Sequence, residues 1–383
     1  HPSRWDYAYT GGNSEGGMTG LADKRVAIIG TGATAIQCVP RVAKYAQSLV
    51  VFQRTPSSVD LRGNKPTDPD WWESLKDQPG WQKARRDNFG AVLTGVPVEE
   101  DLVADGWTDV MRRLRSMMFQ KELTPRQMAE MAEIADFDKM EEIRKRVSDT
   151  VSDDEVAEAL KPYYRQFCKR PTFNDEFLPC FNQENVTLVD VSETKGVERI
   201  TPTGVSTGGK DYEFDCIIYA SGFEISTRFE RRLGFAINGR DGVSLYDHWR
   251  DGMKTLHGFS TRGFPNWFYI GGSQNAFSAN MTHMFDSQAQ HIAYVIAETQ
   301  RRGGVTVEPT REGQDAWVRH FTSMQLGNQD FQIACTPGYY NNEGEPMGNL
   351  AGGTYLPGIN HFNKVLEDWR AEGSMNGMEL DRP

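Results

Sequence analysis

Cysteine is scarce in this sequence, and no pattern pairs the few cysteines with one another or with histidine. Five cysteines occur among 383 residues, without a CxxC motif and without a histidine at metal-ligand spacing. A reduced, cytoplasmic compartment is therefore predicted, and no metal cluster is expected. The cysteines are Cys38, Cys168, Cys180, Cys216 and Cys335.

An excess of positive charge and long apolar runs are absent as well. The 53 acidic residues outnumber the 42 basic ones, and the net charge of −11 would repel the phosphate backbone of a nucleic acid. No apolar run approaches the roughly 20 residues that cross a bilayer. We therefore expect neither a nucleic-acid partner nor a membrane span.

A glycine-rich turn stands near the start of the sequence, between a short apolar strand and a helix. Residues 24–29 (KRVAII) predict the strand, residues 35–46 the helix, and residues 49–52 (LVVF) a second strand. The turn matches the GxGxxG/A fingerprint, in which glycines permit a tight turn and the close approach of a dinucleotide pyrophosphate. An ordinary turn between strand and helix is the alternative. The predicted binding residues are Gly30, Thr31, Gly32, Ala33, Thr34 and Ala35.

The end of the second strand indicates which nicotinamide cofactor the turn would bind. In an NAD site this strand ends in a carboxylate that bonds the ribose hydroxyls, whereas here it leads into Arg54 and Thr55. A guanidinium beside a hydroxyl suits the doubly charged 2′-phosphate of NADPH. NADPH is therefore the predicted cofactor, although Arg54 as a solvated charge at a strand end is the simpler interpretation.

Several motifs in combination resemble a type I Baeyer-Villiger monooxygenase. The opening HPSRWD resembles the end of that family's fingerprint, FxGxxxHxxxW followed by Pro or Asp. The glycine turn follows at the family's interval, and then come FQRTP, CKRP and ASGFE. The stretches ERRLGF, DGMKTLHGFSTRGFPN and TPGYYNNEG look most like the branch that oxidises cyclopentadecanone and polycyclic ketones. The resemblance covers essentially the whole chain.

This resemblance, together with composition along the chain, predicts an α/β fold. It implies a Rossmann-like NADP-binding domain with a helical insert, plus the C-terminal part of a second, FAD-type dinucleotide-binding domain. Helix starts with a hydroxyl at the N-cap are predicted at Thr124 and Ser152, and a later helix over residues 287–302. The predicted parts are an interdomain loop at 1–22, the NADP-binding domain at 23–60 and 167–222, the insert at 61–166, and the FAD-type portion at 223–383.

The resemblance also implies a reaction and the residues that support it. Using FAD, NADPH and O2, the family converts ketones to esters or lactones, and here a bulky or large-ring ketone is expected. Arg170 matches the active-site arginine, whose permanent charge would stabilise an anionic oxygen adduct without protonating it. Lys169 matches the residue that pairs with the 2′-phosphate, and Met281 is expected near the flavin. A solvated Lys-Arg pair and a plain glycine-rich loop are the alternatives.

One expected motif of the family is missing from this sequence. The glycine fingerprint that would cradle the FAD pyrophosphate does not occur, because GxGxxG/A appears once. The FAD site is therefore expected to be incomplete and the fragment alone inactive. Since the chain starts at His1 rather than at methionine, we expect a missing N-terminal segment or a partner chain.

Three other functions remain open. Another flavin monooxygenase of the same class, acting on nitrogen or sulfur, would share the paired-dinucleotide architecture but lacks the HxxxW opening. A non-catalytic NADP-binding module would need only the glycine turn. A simple NADP-dependent ketone reductase is disfavoured because no Tyr-x-x-x-Lys pair is available to donate a proton.

Overall fold

The computed structural model describes residues 1–118, 124–223, 233–324, 333–335, 338, 341 and 353–383. The chain divides into two compact units. The first comprises His1–Asp68 and Asp105–Phe223, and the second comprises Pro69–Ala104 and Glu224–Pro383.

A four-stranded parallel sheet forms the centre of the first unit. Its strands are β1 (Arg25–Ile29), β2 (Ser48–Gln53), β5 (Val186–Asp190) and β9 (Cys216–Tyr219), in the order β5-β2-β1-β9. The chain moves from β1 outward to β2 and β5 and then returns to the other side of β1. The strand order therefore reverses between β1 and β9, and ligands of open α/β sheets bind at such a point, beyond the carboxyl ends of the strands.

Both faces of this sheet are covered, as a parallel sheet requires. Helix α2 (Ala35–Ala43) buries its apolar side with Val26, Ile28 and Val51 on one face. On the other face Phe52 packs edge-on against Tyr212, with ring centroids 5.4 Å apart. The covering element there is an antiparallel sheet of β6 (Arg199–Thr201), β7 (Gly204–Thr207) and β8 (Lys210–Glu213).

Three of the remaining helices of the first unit lie in sequence between two short strands, β3 (Val59–Asp60) and β4 (Thr172–Phe173), which pair in parallel, and a fourth, short helix precedes β1. The predicted capping box at Thr124 is confirmed, since its side chain and that of Gln127 bond reciprocally to backbone. The predicted N-cap at Ser152 was wrong by one residue, because Asp153 accepts the free N–H groups instead. The helices are α1 (Tyr7–Thr10), α5 (Gly106–Met118), α6 (Pro125–Thr150) and α7 (Asp154–Leu160).

The second unit is mostly helical. Helices α4 (Trp81–Leu93) and α11 (Ile359–Glu372) pack closely, since the Asn360 side chain donates to the Asp87 carbonyl at 2.7 Å. This packing places residues 69–104 in the second unit, whereas the sequence pattern grouped them with the insert at 61–166. The other elements are α3 (Pro69–Leu75), α8 (Leu245–His248), α9 (Met281–Arg301), α10 (Arg311–Met324) and the antiparallel pair β10 (Thr306–Pro309) and β11 (Met378–Asp381).

The helix predicted over residues 287–302 begins earlier than expected. Its N-cap is Asn280, whose side chain accepts a hydrogen bond from the His283 N–H at 3.2 Å. The capping asparagine adds about six residues to the helix that apolar periodicity alone had indicated. Among the described residues, no helix has the length and apolar content that a membrane span needs.

Candidate dinucleotide site

Gly30 ends β1 in a conformation that only glycine adopts readily. Its φ is +107°, and its N–H donates to the Phe52 carbonyl at 2.8 Å. A Cβ at this position would lie 2.6 Å from the Ala220 carbonyl oxygen, beyond the end of β9. The turn thus sits at the point where the strand order reverses, held between the ends of β1, β2 and β9.

Gly32 faces open space at the start of α2. A Cβ there would meet no atom within 4 Å, and Gly32 is exposed while Ala35 is fully buried. Thr34, the N-cap of α2, makes no side-chain capping bond to the helix. The N-terminus of this nine-residue helix therefore offers N–H groups and partial positive charge to an anion.

Two hydroxyl groups tie the loop after β2 to the glycine turn. The Thr31 hydroxyl donates to the Thr55 carbonyl at 2.9 Å, and the Ser57 hydroxyl donates to the Thr31 carbonyl at 2.6 Å. Arg54 is the first exposed residue after β2, and Thr55 is half-buried. The structure therefore brings Arg54 and Thr55 beside the turn.

A segment more than 100 residues away returns to the same loop. The Tyr164 hydroxyl donates to the Pro56 carbonyl at 2.9 Å and accepts the Ser58 N–H at 3.0 Å. Burial raises the pKa of Tyr164 far above its ordinary value, so the phenol stays protonated. A few residues on, the Thr172 N–H and hydroxyl both donate to the Ser58 carbonyl, at 3.2 and 2.8 Å.

Lys169 and Arg170 lie between these two anchor points. The Lys169 Nζ atom is 5.7 Å from the centre of the Tyr164 ring, which itself bonds to the loop after Arg54. Lys169 is half-buried and Arg170 is exposed. Arg54 and the Lys169-Arg170 pair therefore lie on two distant segments of the sequence that are bonded to one another beside the glycine turn.

Helix α6 supports both halves of this loop system through charged side chains that sequence reasoning missed. Lys139 has 7% of its side chain exposed and contacts Asp60 at 2.6 Å and Asp109 at 2.9 Å. The Arg146 guanidinium donates to the carbonyls of Val59 and Asn174. A sequence signal existed in the i, i+3, i+10 spacing of Asp136, Lys139 and Arg146, which puts them on one side of the helix.

Burial and charge act in opposite directions on this ion-pair network. Burial by itself would raise the pKa of Asp109, but the hydrogen bond and charge of Lys139 outweigh it and lower that pKa. Burial likewise opposes the charged form of Lys139, and the carboxylates of Asp60 and Asp109 nevertheless raise its pKa. Asp109 and Lys139 therefore remain charged together near neutral pH.

The opening residues lie at the carboxyl end of β9. The His1 ring is 4.8 Å from the Phe223 ring and its Nε2 is 3.4 Å from the Gly222 carbonyl. The Trp5 indole donates to the Thr10 hydroxyl at 3.0 Å. The contacts of His1 place the start of the HPSRWD segment next to Gly222 and Phe223, which directly follow the residues that flank Gly30, Ala220 and Ser221.

Met281, which was predicted to lie near a flavin, is the first residue of α9 in the second unit. Its side chain is 39% exposed. The contacts within the second unit do not test the predicted role.

Known proteins resemble this chain over nearly its whole length, although no family model matches it. It is 46% identical over 386 residues to neopentalenolactone D synthase of Streptomyces avermitilis, covering 99% of this chain and 64% of that protein. It is 46% identical over 377 residues to a Baeyer-Villiger monooxygenase of Streptomyces coelicolor, covering 97% of this chain and 62% of that protein.

A solved structure with the same fold is the polycyclic ketone monooxygenase of Thermothelomyces thermophila. The TM-score is 0.88 at 38% sequence identity, covering 99% of this chain and 63% of that one. A closed structure of cyclohexanone monooxygenase gives a TM-score of 0.71 at 25% identity, covering 95% of this chain and 68% of that one. The chain spans less than two thirds of the length of the two curated relatives.

Proposed function

We propose that this chain, which belongs to the Baeyer-Villiger monooxygenase family, carries the NADPH-binding part and the active-site arginine of an enzyme. That enzyme converts ketones to esters or lactones with FAD and O2. The observation that carries the proposal is that the loop after Arg54 is bonded both to the glycine turn and to the segment that carries Lys169 and Arg170. Bulky or polycyclic ketones are the proposed substrates, since a polycyclic ketone monooxygenase shares this fold at 38% identity.

The first unit fits a dinucleotide phosphate in three respects. The open space over Gly32 and the uncapped start of α2 would admit a pyrophosphate. Arg54, Thr55 and Lys169 supply two cations and a hydroxyl at the end of β2, where a ribose 2′-phosphate would lie. No carboxylate stands at positions 54 and 55 to repel that phosphate.

Arg170 has the charge and the exposure that a reacting anion requires. Arginine carries a permanent positive charge, so this side chain would stabilise negative charge without giving up a proton. When bound, NADPH supplies a hydride and FAD carries the reaction with oxygen. The protein's own proposed contribution is the cation of Arg170, on a segment that is bonded to the loop beside the glycine turn.

The described residues provide one dinucleotide cradle rather than two. A second GxGxxG/A turn does not occur in the sequence, so these residues do not fit the FAD pyrophosphate, and we assign no step to FAD within this chain. FAD binding by the whole protein is a proposal from the family. A cytoplasmic location likewise remains a prediction from composition.

The test supplies the whole protein, in which FAD binding is proposed, with FAD, NADPH, oxygen and a panel of cyclic ketones, amines and sulfides, and identifies the products. Lactones support the proposal, and Arg170→Ala should abolish them while NADPH binding persists. N-oxides or S-oxides without any lactone would overturn it in favour of another flavin monooxygenase. NADPH binding without flavin uptake or oxygen consumption would identify the chain as a binding module with no catalysis of its own.

A further inference from the structure

A buried carboxylate stands at the start of the segment that carries Lys169 and Arg170. Asp136 of α6 has 7% of its side chain exposed. Its Oδ1 accepts the Gln166 N–H at 2.9 Å, and its Oδ2 accepts the Arg165 Nε–H at 3.2 Å. Both hydrogen-bond donors belong to the returning segment rather than to α6 itself.

These contacts cap a short helical turn from outside. Residues Gln166–Cys168 form a single 3-10 turn whose N-cap, Arg165, makes no side-chain capping bond. Asp136 supplies that bond, and its negative charge favours the N-terminus of the turn. The turn ends at Lys169, so the carboxylate fixes the direction in which the chain leaves toward Lys169 and Arg170.

Burying this carboxylate carries a cost that ordinary helix surface positions avoid. Burial raises the pKa of Asp136 despite the hydrogen bonds from Gln166 and Arg165. The neighbouring Asp138, two residues on in the same helix, is exposed to solvent. The structure therefore keeps a charged group inside, where its contacts are with the segment that leads to Lys169.

We infer that Asp136 is a positioning residue that holds Lys169 in place to recognise the 2′-phosphate of NADPH. The inference rests on the proposed function, since it deepens the role given there to Lys169. Before Lys169 the segment is held by the bonds of Tyr164 to Pro56 and Ser58 and by Asp136, and after Lys169 it is held by the bonds from Thr172 to Ser58. Loss of the bonds to Asp136 would free residues 165 and 166 and thereby loosen the position of Lys169.

The test compares dissociation constants for NADPH and NADH in Asp136→Ala, Asp136→Asn and the matched control Asp138→Ala. Asp136→Ala should weaken NADPH about tenfold or more and leave NADH nearly unchanged, because only NADPH carries the 2′-phosphate. Asp136→Asn should fall between, since its amide oxygen still accepts the Gln166 N–H while the charge facing Arg165 is gone. Asp138→Ala should match the parent, and circular dichroism establishes folding of each variant.

A double-mutant cycle with Lys169→Ala separates positioning from general structural damage. In the Lys169→Ala background, Asp136→Ala should cause no further loss of the preference for NADPH over NADH. Equal losses of affinity for both cofactors, or full additivity of the effects of the two substitutions, would overturn the inference. If Lys169→Ala lowers NADPH affinity and Asp136→Ala and Asp136→Asn do not, the inference alone fails. If Lys169→Ala leaves the cofactor preference unchanged, the proposed 2′-phosphate site fails.

Discussion

The two glycines of the turn stand two residues apart and meet different requirements. Gly30 needs a positive φ and the absence of a Cβ, because the Ala220 carbonyl occupies that space. Gly32 needs neither for folding, since a Cβ at that position would meet no atom within 4 Å. The requirement at Gly32 comes instead from the ligand that we propose to lie there.

Alanine at these two positions should therefore have opposite consequences. Gly30→Ala should lower the free energy of unfolding by about 2 kcal/mol or more, because of the left-handed backbone and the close carbonyl. Gly32→Ala should leave that free energy equal or up to about 1 kcal/mol higher, and should weaken NADPH binding. Urea denaturation and cofactor titration measure the two effects. Full-strength NADPH binding by Gly32→Ala would argue against the pyrophosphate position.

Arg54 decides between the two nicotinamide cofactors if the end of β2 binds the 2′-phosphate. Arg54→Ala should then weaken the binding of NADPH by about tenfold to a hundredfold and change the binding of NADH little. The control is Arg41→Ala, which removes an exposed arginine of α2 that pairs with Glu176 at 3.1 Å. Titrations with both cofactors provide the measurement, and equal losses for the two cofactors in Arg54→Ala would contradict the assignment.

At the scale of elements, α6 joins the loop system through buried charge as well as through apolar packing. Lys139 neutralises Asp60 of β3 and Asp109 of α5 in a largely buried cluster. Removing one partner of a buried pair leaves charge without compensation, which costs far more than losing an exposed pair. The helix therefore depends on Lys139 to keep β3 in position.

Two lysine substitutions in α6 test this dependence. Lys139→Met keeps the length of the side chain and should lower the free energy of unfolding by about 3–5 kcal/mol, since the carboxylate of Asp60 stays buried and loses the partner that it contacts at 2.6 Å. Lys145→Met removes an exposed lysine that pairs with Asp149 and should cost less than about 1 kcal/mol. Denaturant melts of both variants provide the comparison. Similar small losses for the two would show that the buried cluster contributes little.

At the scale of the whole molecule, the second unit carries histidines that must stay neutral for it to fold. Burial lowers the pKa of His257 to about 3. Burial, with His257 and Arg370 nearby, lowers the pKa of His291 to about 2. The two rings lie 5.5 Å apart, and Arg370 donates to the His291 Nδ1 at 3.2 Å. Neutral imidazoles are therefore built into this core.

Acid should destabilise the second unit for this reason. A histidine in the unfolded chain takes up a proton near pH 6.5, whereas a folded histidine with a lowered pKa does not. The second unit is therefore fully stable above about pH 6.5 and becomes less stable as the pH drops below that value. Each such histidine adds up to about 1.4 kcal/mol per pH unit to the slope of the free energy of unfolding against pH. His257→Phe should reduce the measured slope between about pH 6 and 4 by up to that amount. Urea melts across this range test it, and an unchanged slope would contradict the lowered pKa.

Elements whose signals are local could be predicted from the sequence alone. The strand, turn and helix around Gly30, the strand that leads into Arg54, and the capping box at Thr124 all follow from residues within a few positions of one another. Apolar periodicity, glycine at a required φ and a hydroxyl near free N–H groups act over one or two turns of chain.

Which distant segments contact one another is seen only in the tertiary structure. Lys169 returns to the loop after Arg54 because Tyr164 and Thr172 bond to Pro56 and Ser58, more than 100 residues away in sequence. Residues 69–104 join the second unit because α4 packs on α11, and Asp136 and Lys139 become buried because charged partners surround them there. Helical periodicity shows that a face will be covered, but the covering partner depends on contacts between residues far apart along the chain.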